Sequence, residues 1–294
     1  MQSPESMGSQ VISANVAFYK EIAKKYDQYE SCASEEFYQR MLESDLDKMK
    51  ALLPPGRIRC LDCGGGSGNL TIKMLNRGWI VTVVDVSPDM LEVSRANVST
   101  AGYTAEFVND SIDHFLSSSQ DTFDVVAFSS VLHHLYSPQD VVKEVAPRIK
   151  PGGFFYSNFD PVPPSSRLLA SCFYNLDTIL ANILHDREDF FPGIVRRFRK
   201  LTLARHADHE RAVASPGDLA EYHARTGLDD RSIAEVLEQH GFLISRQRYP
   251  VGRTKLMLGA NRKLRALLSF KIMAQRNDAH ILHQESLVLK TGNE

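Results

Sequence analysis

The sequence predicts an α/β fold built on a mostly parallel sheet, and three observations carry that prediction. Strand and helix patterns alternate between residues 57 and 159. The first strand pattern runs directly into a glycine-rich turn that opens a helix. Two further strand patterns appear late in the chain, in "FLISRQRYP" and "HQESLVLK". Alternation of this kind buries a parallel sheet between helices on both faces.

The elements follow in order. Residues 1–55 read as helices, with apolar positions at helical spacing in "ANVAFYKEIAKKYDQYE" and "SEEFYQRMLESDLDKMKALLPP", and Pro54-Pro55 stops the second. "RIRCLDC" reads as a buried strand, followed by a helix from Asn69 that Gly78 closes. "WIVTVVDV" is a second strand; Ser87 and Pro88 then supply the N-cap and first turn of a helix ending at Gly102. "AEFV" and "FDVVAFSS" read as strands three and four, "PQDVVKEVAPRIK" as a helix and "GFFYSNF" as strand five. Regularity breaks at "DPVPPSS". Residues 161 to about 215 read as an inserted helical lid over the sheet's edge. The pattern resumes with the helix "DDRSIAEVLEQHG", a sixth strand, a basic amphipathic stretch and the last strand, "HQESLVLK".

Composition narrows the function. Apolar residues make up 43% and charged residues 24% of the 294-residue chain, as in an ordinary globular protein. A formal net charge of -2 argues against bulk electrostatic binding of nucleic acid. The start lacks a basic and an apolar signal region, and four scattered cysteines suggest no disulfide framework, so a cytoplasmic location is expected.

"CLDCGGGSGNL" carries two competing signals. Cys60 and Cys63 spell a CxxC, but no second pair completes a four-ligand zinc site. A redox pair would sit at a helix N-terminus instead of across a strand end. Both read as packing residues. The glycines at 64, 66 and 68 let a ligand approach the backbone where a helix presents unpaired N–H groups. Their GxGxG spacing, with Asn69 next, departs from the dinucleotide fingerprint GxGxxG. Asp85 ends the second strand, 21 residues after Gly64, where a carboxylate can take both hydroxyls of a ribose. After strand three, Asn109-Asp110-Ser111 places an acid where an adenine amino group would lie.

The succession "CLDCGGGSGNL", "VTVVDVSPDML", "EFVNDSI" and "FDVVAFSSVLHHLYSPQDVVKEVAPRIKPGGFFYSNFD" resembles the motif series of class I S-adenosylmethionine (SAM)-dependent methyltransferases. It is most similar to the small-molecule branch that includes ubiquinone- and menaquinone-biosynthesis enzymes. The likeness is strong over about residues 20–160 and looser to 242. It implies a Rossmann-like, seven-stranded, mostly parallel sheet with the last strand antiparallel beside the sixth. Residues 1–55 would form an N-terminal helical cap and residues 56–294 the SAM-binding core. It also implies SAM as cofactor, S-adenosylhomocysteine (SAH) as product, and no metal. Asp62, Gly64, Gly66 and Gly68 would surround the methionine part, and Asp85 the ribose. Val86 and Met90 would pack near the adenine, with Asp110 and Ser111 at its amino group. Ser129 would offer backbone to the ammonium, and Tyr26 would close over the cofactor.

Beyond the cofactor, a methyl carried on sulfonium is already activated, so alignment and water exclusion matter most. A base helps where the acceptor must lose a proton. His133 and His134 follow strand four, and Asp160 ends strand five; these are the candidate catalytic residues, although the histidine pair can equally be structural. By resemblance Tyr222 and His223 face the acceptor. Two basic stretches, 194–211 and 252–276, read as solvated faces, as attraction for an anionic substrate through Arg196 and Arg197, or as peripheral membrane contact. His206, Asp208 and His209 in a charged segment read as solvated, not metal-binding. Leu168, Phe173, Leu176, Phe190 and Phe191 give the insertion an apolar lining.

These features point to methylation, most readily at oxygen, of a small, fairly hydrophobic or aromatic metabolite. Carbon or nitrogen methylation of a quinone- or isoprenoid-type metabolite, a SAM-binding protein without transfer, and an NAD-dependent oxidoreductase remain as alternatives.

Overall fold

The computed structural model describes residues 4–23, 26, 36–163, 219–220, 222–223, 226–252, 255–263 and 267–277. Two helices, α1 (Pro4–Ile22) and α2 (Glu36–Leu52), precede the alternating series. That series runs β1 (Arg59–Cys63), α3 (Asn69–Leu75), β2 (Ile80–Asp85), α4 (Pro88–Thr100), β3 (Glu106–Asn109), α5 (Ile112–Ser118) and β4 (Phe123–Ser129). It continues through α6 (Pro138–Val145) and β5 (Ile149–Pro161). Further along the chain come α7 (Asp230–Gln239), β6 (Phe242–Tyr249), α8 (Lys255–Lys263) and β7 (Ser269–Arg276).

The seven strands form one sheet in the order β3-β2-β1-β4-β5-β7-β6. β7 is antiparallel to both of its neighbours, while the pairs from β3 across to β5 are parallel. Chain order reverses direction between β1 and β4, and a doubly wound sheet opens a crevice at the carboxyl ends of the strands there.

Period-two alternation explains the two-faced core. Along β4, Val125 and Ala127 face α2, α3 and α4 with Leu42, Leu46, Met49, Met74 and Leu91. Val126 and Phe128 face the opposite layer, with Leu116, Val142 and Leu237 from α5, α6 and α7. Helix starts follow local chemistry. The Ser87 hydroxyl accepts from the Met90 amide at 3.3 Å, and Asp229 caps α7 by accepting from Arg231 N at 3.1 Å.

The fold class agrees with the sequence reading, but the seventh strand lies elsewhere. It is "SFKIMAQR", inside the stretch read as basic and amphipathic. Its buried apolar positions are Phe270, Ile272 and Ala274, while Lys271 turns its ammonium onto buried Asp45. "HQESLVLK" lies outside the described residues. So do the helical pattern of the insertion, with its apolar lining, and the basic stretch 194–211.

Cys60 and Cys63 are both buried, and burial pushes both thiols up. They join opposite faces of the sheet, Cys60 packing with Val81 and Cys63 with Phe128, which rules out a clip between them. Among the described residues, no helix is long and apolar enough to cross a membrane.

Candidate functional site

A cavity of about 410 Å³ opens at the carboxyl ends of β1, β2 and β4. Its floor is the loop Gly64–Ser67. Gly64, Gly66 and Gly68 have φ of 66°, 54° and 86°, a left-handed backbone that favours glycine. The glycines do different work. A Cβ on Gly64 would lie 2.8 Å from Val131, one on Gly65 2.3 Å from Val83, and one on Gly68 2.7 Å from Ser94. At Gly66 the nearest side-chain atom is Met90 Cε at 3.6 Å, on a loop position that faces the cavity. Gly68 lies outside the lining and serves the packing of α3 on α4.

Two carboxylates edge the loop. Asp85 Oδ2 accepts from the Gly66 amide at 3.0 Å and Oδ1 from the Ser87 amide at 2.8 Å. Burial pushes its carboxyl up against those two bonds. Asp62 is 1% exposed; its Oδ2 accepts from Thr71 Oγ1 at 2.6 Å, and its Oδ1 is buried with no hydrogen-bond partner. Burial pushes the Asp62 carboxyl up to about 7, and the Asp85 charge adds to the shift.

At the third strand end, Asp110 lines the cavity, but its carboxylate is already engaged. Oδ1 accepts from Ser111 N at 2.8 Å, and Oδ2 meets His114 Nδ1 at 2.6 Å. Ser111 also caps α5 by accepting from His114 N at 3.2 Å. Val86, Met90 and Ser129 join the lining. Ser130 follows with φ 63°, its amide donating to Asn158 O at 2.7 Å, a strained turn at the cavity wall.

The structure separates the two histidines. His133 turns inward, where its amide and Nδ1 meet Asp160 Oδ1 at 3.1 and 2.9 Å. Asp160 is fully buried and also accepts from Ser157 Oγ at 2.9 Å. Neither His133 nor Asp160, both expected to act on an acceptor, lines the cavity: their pairing shapes the turn Leu132–His134. His134 does line the cavity. Tyr222 and His223 are also absent from the lining. Tyr222 packs 5.5 Å from the Tyr136 ring, His223 N donates to His133 O at 2.8 Å, and burial lowers the His223 pKa. Arg196 and Arg197 lie outside the described residues, as do His206, Asp208 and His209. Among the described residues no group of His, Cys, Asp and Glu could hold a metal ion.

Sequence reasoning missed the wall opposite the glycine loop. Gly8, Val11, Ile12, Asn15 and Tyr19 follow helical spacing, and α1 lays that face along the cavity beside Tyr26. It also missed Asp113, Asp140 and Glu144, which line the side formed by α5 and α6. Burial, with Asp140 nearby, pushes the Asp113 and Glu144 carboxyls up.

Residues 61–157 match the family model described as a methyltransferase domain. A ubiquinone biosynthesis O-methyltransferase of Xanthomonas axonopodis pv. citri is 27% identical over 146 residues, 49% of this chain and 61% of that protein. A tRNA 5-carboxymethoxyuridine methyltransferase of Escherichia coli is 27% identical over 169 residues, 56% of this chain and 59% of that protein. The chain thus spans about 60% of the length of these curated relatives. The plantazolicin methyltransferase BpumL, solved in complex with SAH, aligns over 93% of this chain and 97% of its own. Its TM-score is 0.54 at 13% identity, which shows a shared fold. The resemblance to class I SAM-dependent methyltransferases is borne out.

Proposed function

We propose that this chain binds SAM in the β1–β2–β4 cavity and transfers its methyl group to oxygen of a small, fairly hydrophobic or aromatic acceptor. The observation that carries the reading is Asp62 Oδ1, a buried carboxylate oxygen without a hydrogen-bond partner on the cavity wall. A buried carboxylate oxygen left without a partner is unfavourable, and an ammonium group brought by a ligand would satisfy it.

The remaining lining fits the other parts of SAM. Asp85 holds Gly66 and Ser87 with one bond per oxygen, which leaves acceptor lone pairs for two ribose hydroxyls. Gly66 leaves room for close backbone approach, and Val86 and Met90 offer an apolar wall to a purine. Asp110 and Ser111 sit at the adenine end, with His114 orienting the Asp110 carboxylate. Ser129 stands near the methionine end, and Tyr26 closes the same side. When bound, SAM supplies an electrophilic methyl on sulfonium. The protein then aligns the acceptor and excludes water.

His134 is the candidate base, since it alone of the two histidines reaches the cavity. The wall formed by Val11, Ile12, Tyr19, Leu135 and Tyr136 favours an apolar or aromatic acceptor. Asp113, Asp140 and Glu144 beside it disfavour a polyanion such as RNA.

Isothermal titration with SAM, SAH and NAD tests the reading. Binding of SAM and SAH with no NAD binding is expected, and a preference for NAD would overturn it.

A further inference from the structure

β5 carries one residue more than its pairing with β7 uses. Asn158 pairs with Lys271 and Asp160 with Phe270, so Phe159 between them has no partner in the register. Its φ of 66° lies in the left-handed region, which a bulky residue rarely adopts. This is a β-bulge, which re-aims the side chains beyond it. Before the bulge the strand alternates, and Tyr156 and Asn158 share a face, where Asn158 Nδ2 donates to Tyr156 Oη at 2.8 Å. In an unbroken strand Asp160 would follow them onto that face. The extra residue turns it to the other, beside Ser157, whose Oγ donates to Asp160 Oδ2 at 2.9 Å. There its second oxygen, Oδ1, receives the His133 amide at 3.1 Å.

Two buried side chains hold the bulge. The Phe159 amide donates to Asn158 Oδ1 and to Tyr249 Oη, both at 2.9 Å, and the Tyr249 hydroxyl donates to the same Asn158 oxygen. Asn158 is fully buried and Tyr249 is 3% exposed. Asn158 also reaches the turn after β4, because its carbonyl takes the Ser130 amide at 2.7 Å. Among the described residues, Ser130 and Phe159 are the two non-glycine positions with positive φ, and both are tied to Asn158. The turn they support forms part of the cavity. Ser129, Ser130, Val131 and His134 line it, and Val131 packs so closely on Gly64 that a Cβ there would lie 2.8 Å away.

We propose that the bulge at Phe159 sets the cavity wall 129–134 against the glycine loop, which makes Phe159, Asn158 and Tyr249 positioning residues for SAM binding. They act through two struts, the Asp160 carboxylate behind His133 and the Asn158 carbonyl behind Ser130. The proposal rests on the SAM reading above.

The test separates backbone conformation from ring packing. Phe159→Gly and Phe159→Val both lose the ring that packs on Tyr38, but glycine accepts φ 66° and a β-branched residue opposes it. SAH affinity is read by titration calorimetry and folding by thermal melting. The valine variant is expected to bind SAH at least about tenfold more weakly than wild type, and the glycine variant within about threefold of it. Tyr249→Phe keeps its ring and removes one acceptor of the Phe159 amide, so a loss of about threefold is expected in a protein that still folds. Asp160→Ala should also weaken binding, and adding it to Phe159→Val should cost less than the sum of the two losses. Equal losses in the glycine and valine variants would make the ring the cause and overturn the proposal. Wild-type affinity in Tyr249→Phe or in folded Phe159→Val would detach the bulge from the cavity, and strictly additive losses would remove Asp160 as its route. Should the valine variant not fold, the glycine variant and Tyr249→Phe decide. A wild type that binds neither SAM nor SAH would overturn the SAM reading, and this inference with it. A wild type that binds them without this pattern among the variants would overturn the inference alone.

Discussion

The Asp85 carboxylate and the Gly66 amide, 19 residues apart, meet at 3.0 Å and tie the end of β2 to the glycine loop after β1. The same carboxylate holds the Ser87 amide at the start of α4. One side chain therefore sets the distance between the loop and the helix that flank the ribose end of the proposed cofactor site.

Asp85→Asn is expected to weaken SAH binding strongly. The amide keeps one acceptor oxygen, loses the charge and presents an NH₂ to a backbone donor. Losing charge-assisted bonds to two hydroxyls at about 1.5–3 kcal/mol each predicts a drop of at least about tenfold in affinity. Titration calorimetry checks this, with thermal melting to show that the fold persists. An affinity within about twofold of wild type would remove the ribose assignment.

Asp62 predicts a pH dependence with a definite sign. Burial first, and then the Asp85 charge, raise its carboxyl from 3.8 to about 7, against the Thr71 bond that lowers it. A ligand ammonium favours the carboxylate form, so SAH affinity should fall as pH drops below about 7, by about tenfold near pH 6. Stability of the ligand-free protein runs the other way. Between pH 3.8 and about 7 the folded chain holds a proton that the unfolded chain has released, so stability falls as pH rises through that window. Asp62→Asn should flatten both profiles, bind SAH weakly and melt higher than ligand-free wild type at pH 8, by an amount on the order of 1 kcal/mol or more. Titrations and melts from pH 6 to 8 read both effects; a flat wild-type affinity profile would sink the assignment.

Much of this site was legible because its signals are local. Positive-φ glycines between strand and helix, an acid ending the next strand, and a Ser-Pro helix start all sit within 25 residues, Gly64 to Pro88. The parts that could not be read depend on distant partners. His133 and His134 are adjacent letters, yet one is drawn inward by Asp160, 27 residues on, and the other is set by Ala220 and Tyr19. Residues 269–276 look like a basic helix face because Lys271 carries a charge at a position whose partner, Asp45, lies 226 residues away. The face of α1 on the cavity has helical spacing but no chemistry to separate it from any buried stripe.

The glycines offer a contrast between fold and ligand. Gly65→Ala would drive a Cβ to 2.3 Å from Val83, a fully buried side chain, and should destabilise the protein by about 1–3 kcal/mol. Gly66→Ala meets nothing closer than Met90 Cε at 3.6 Å, so only the left-handed backbone at φ 54° opposes it, about 1–2 kcal/mol. Its methyl group would enter the cavity floor, where the proposed reading needs close backbone approach. Denaturant titration should show the first variant losing stability through core crowding. Calorimetry should show the second losing SAH affinity at least about tenfold while it stays folded. Unchanged affinity in Gly66→Ala would place the ligand away from the loop.

Asp45 shows how α2 is held to the strands β5 and β7 of the sheet. It is 1% exposed on α2, accepts from Lys271 Nζ on β7 at 2.7 Å through both oxygens, and accepts from Tyr156 on β5 at 3.2 Å. Tyr156 in turn accepts from Asn158 Nδ2 at 2.8 Å, and the Asn158 carbonyl receives the Ser130 amide at the cavity wall. Asp45→Ala leaves a lysine with a 13% exposed side chain facing a buried gap, which should cost about 3–5 kcal/mol. Lys271→Met should also destabilise, because it leaves the Asp45 carboxylate with weaker partners. The double variant Asp45→Ala with Lys271→Met removes both charges, so its loss should be smaller than the sum of the two single losses. Urea unfolding of the three variants decides the matter. Strictly additive losses would mean that the ion pair does not couple the two elements, and α2 would then be anchored by its other contacts, among them the packing of Leu42, Leu46 and Met49.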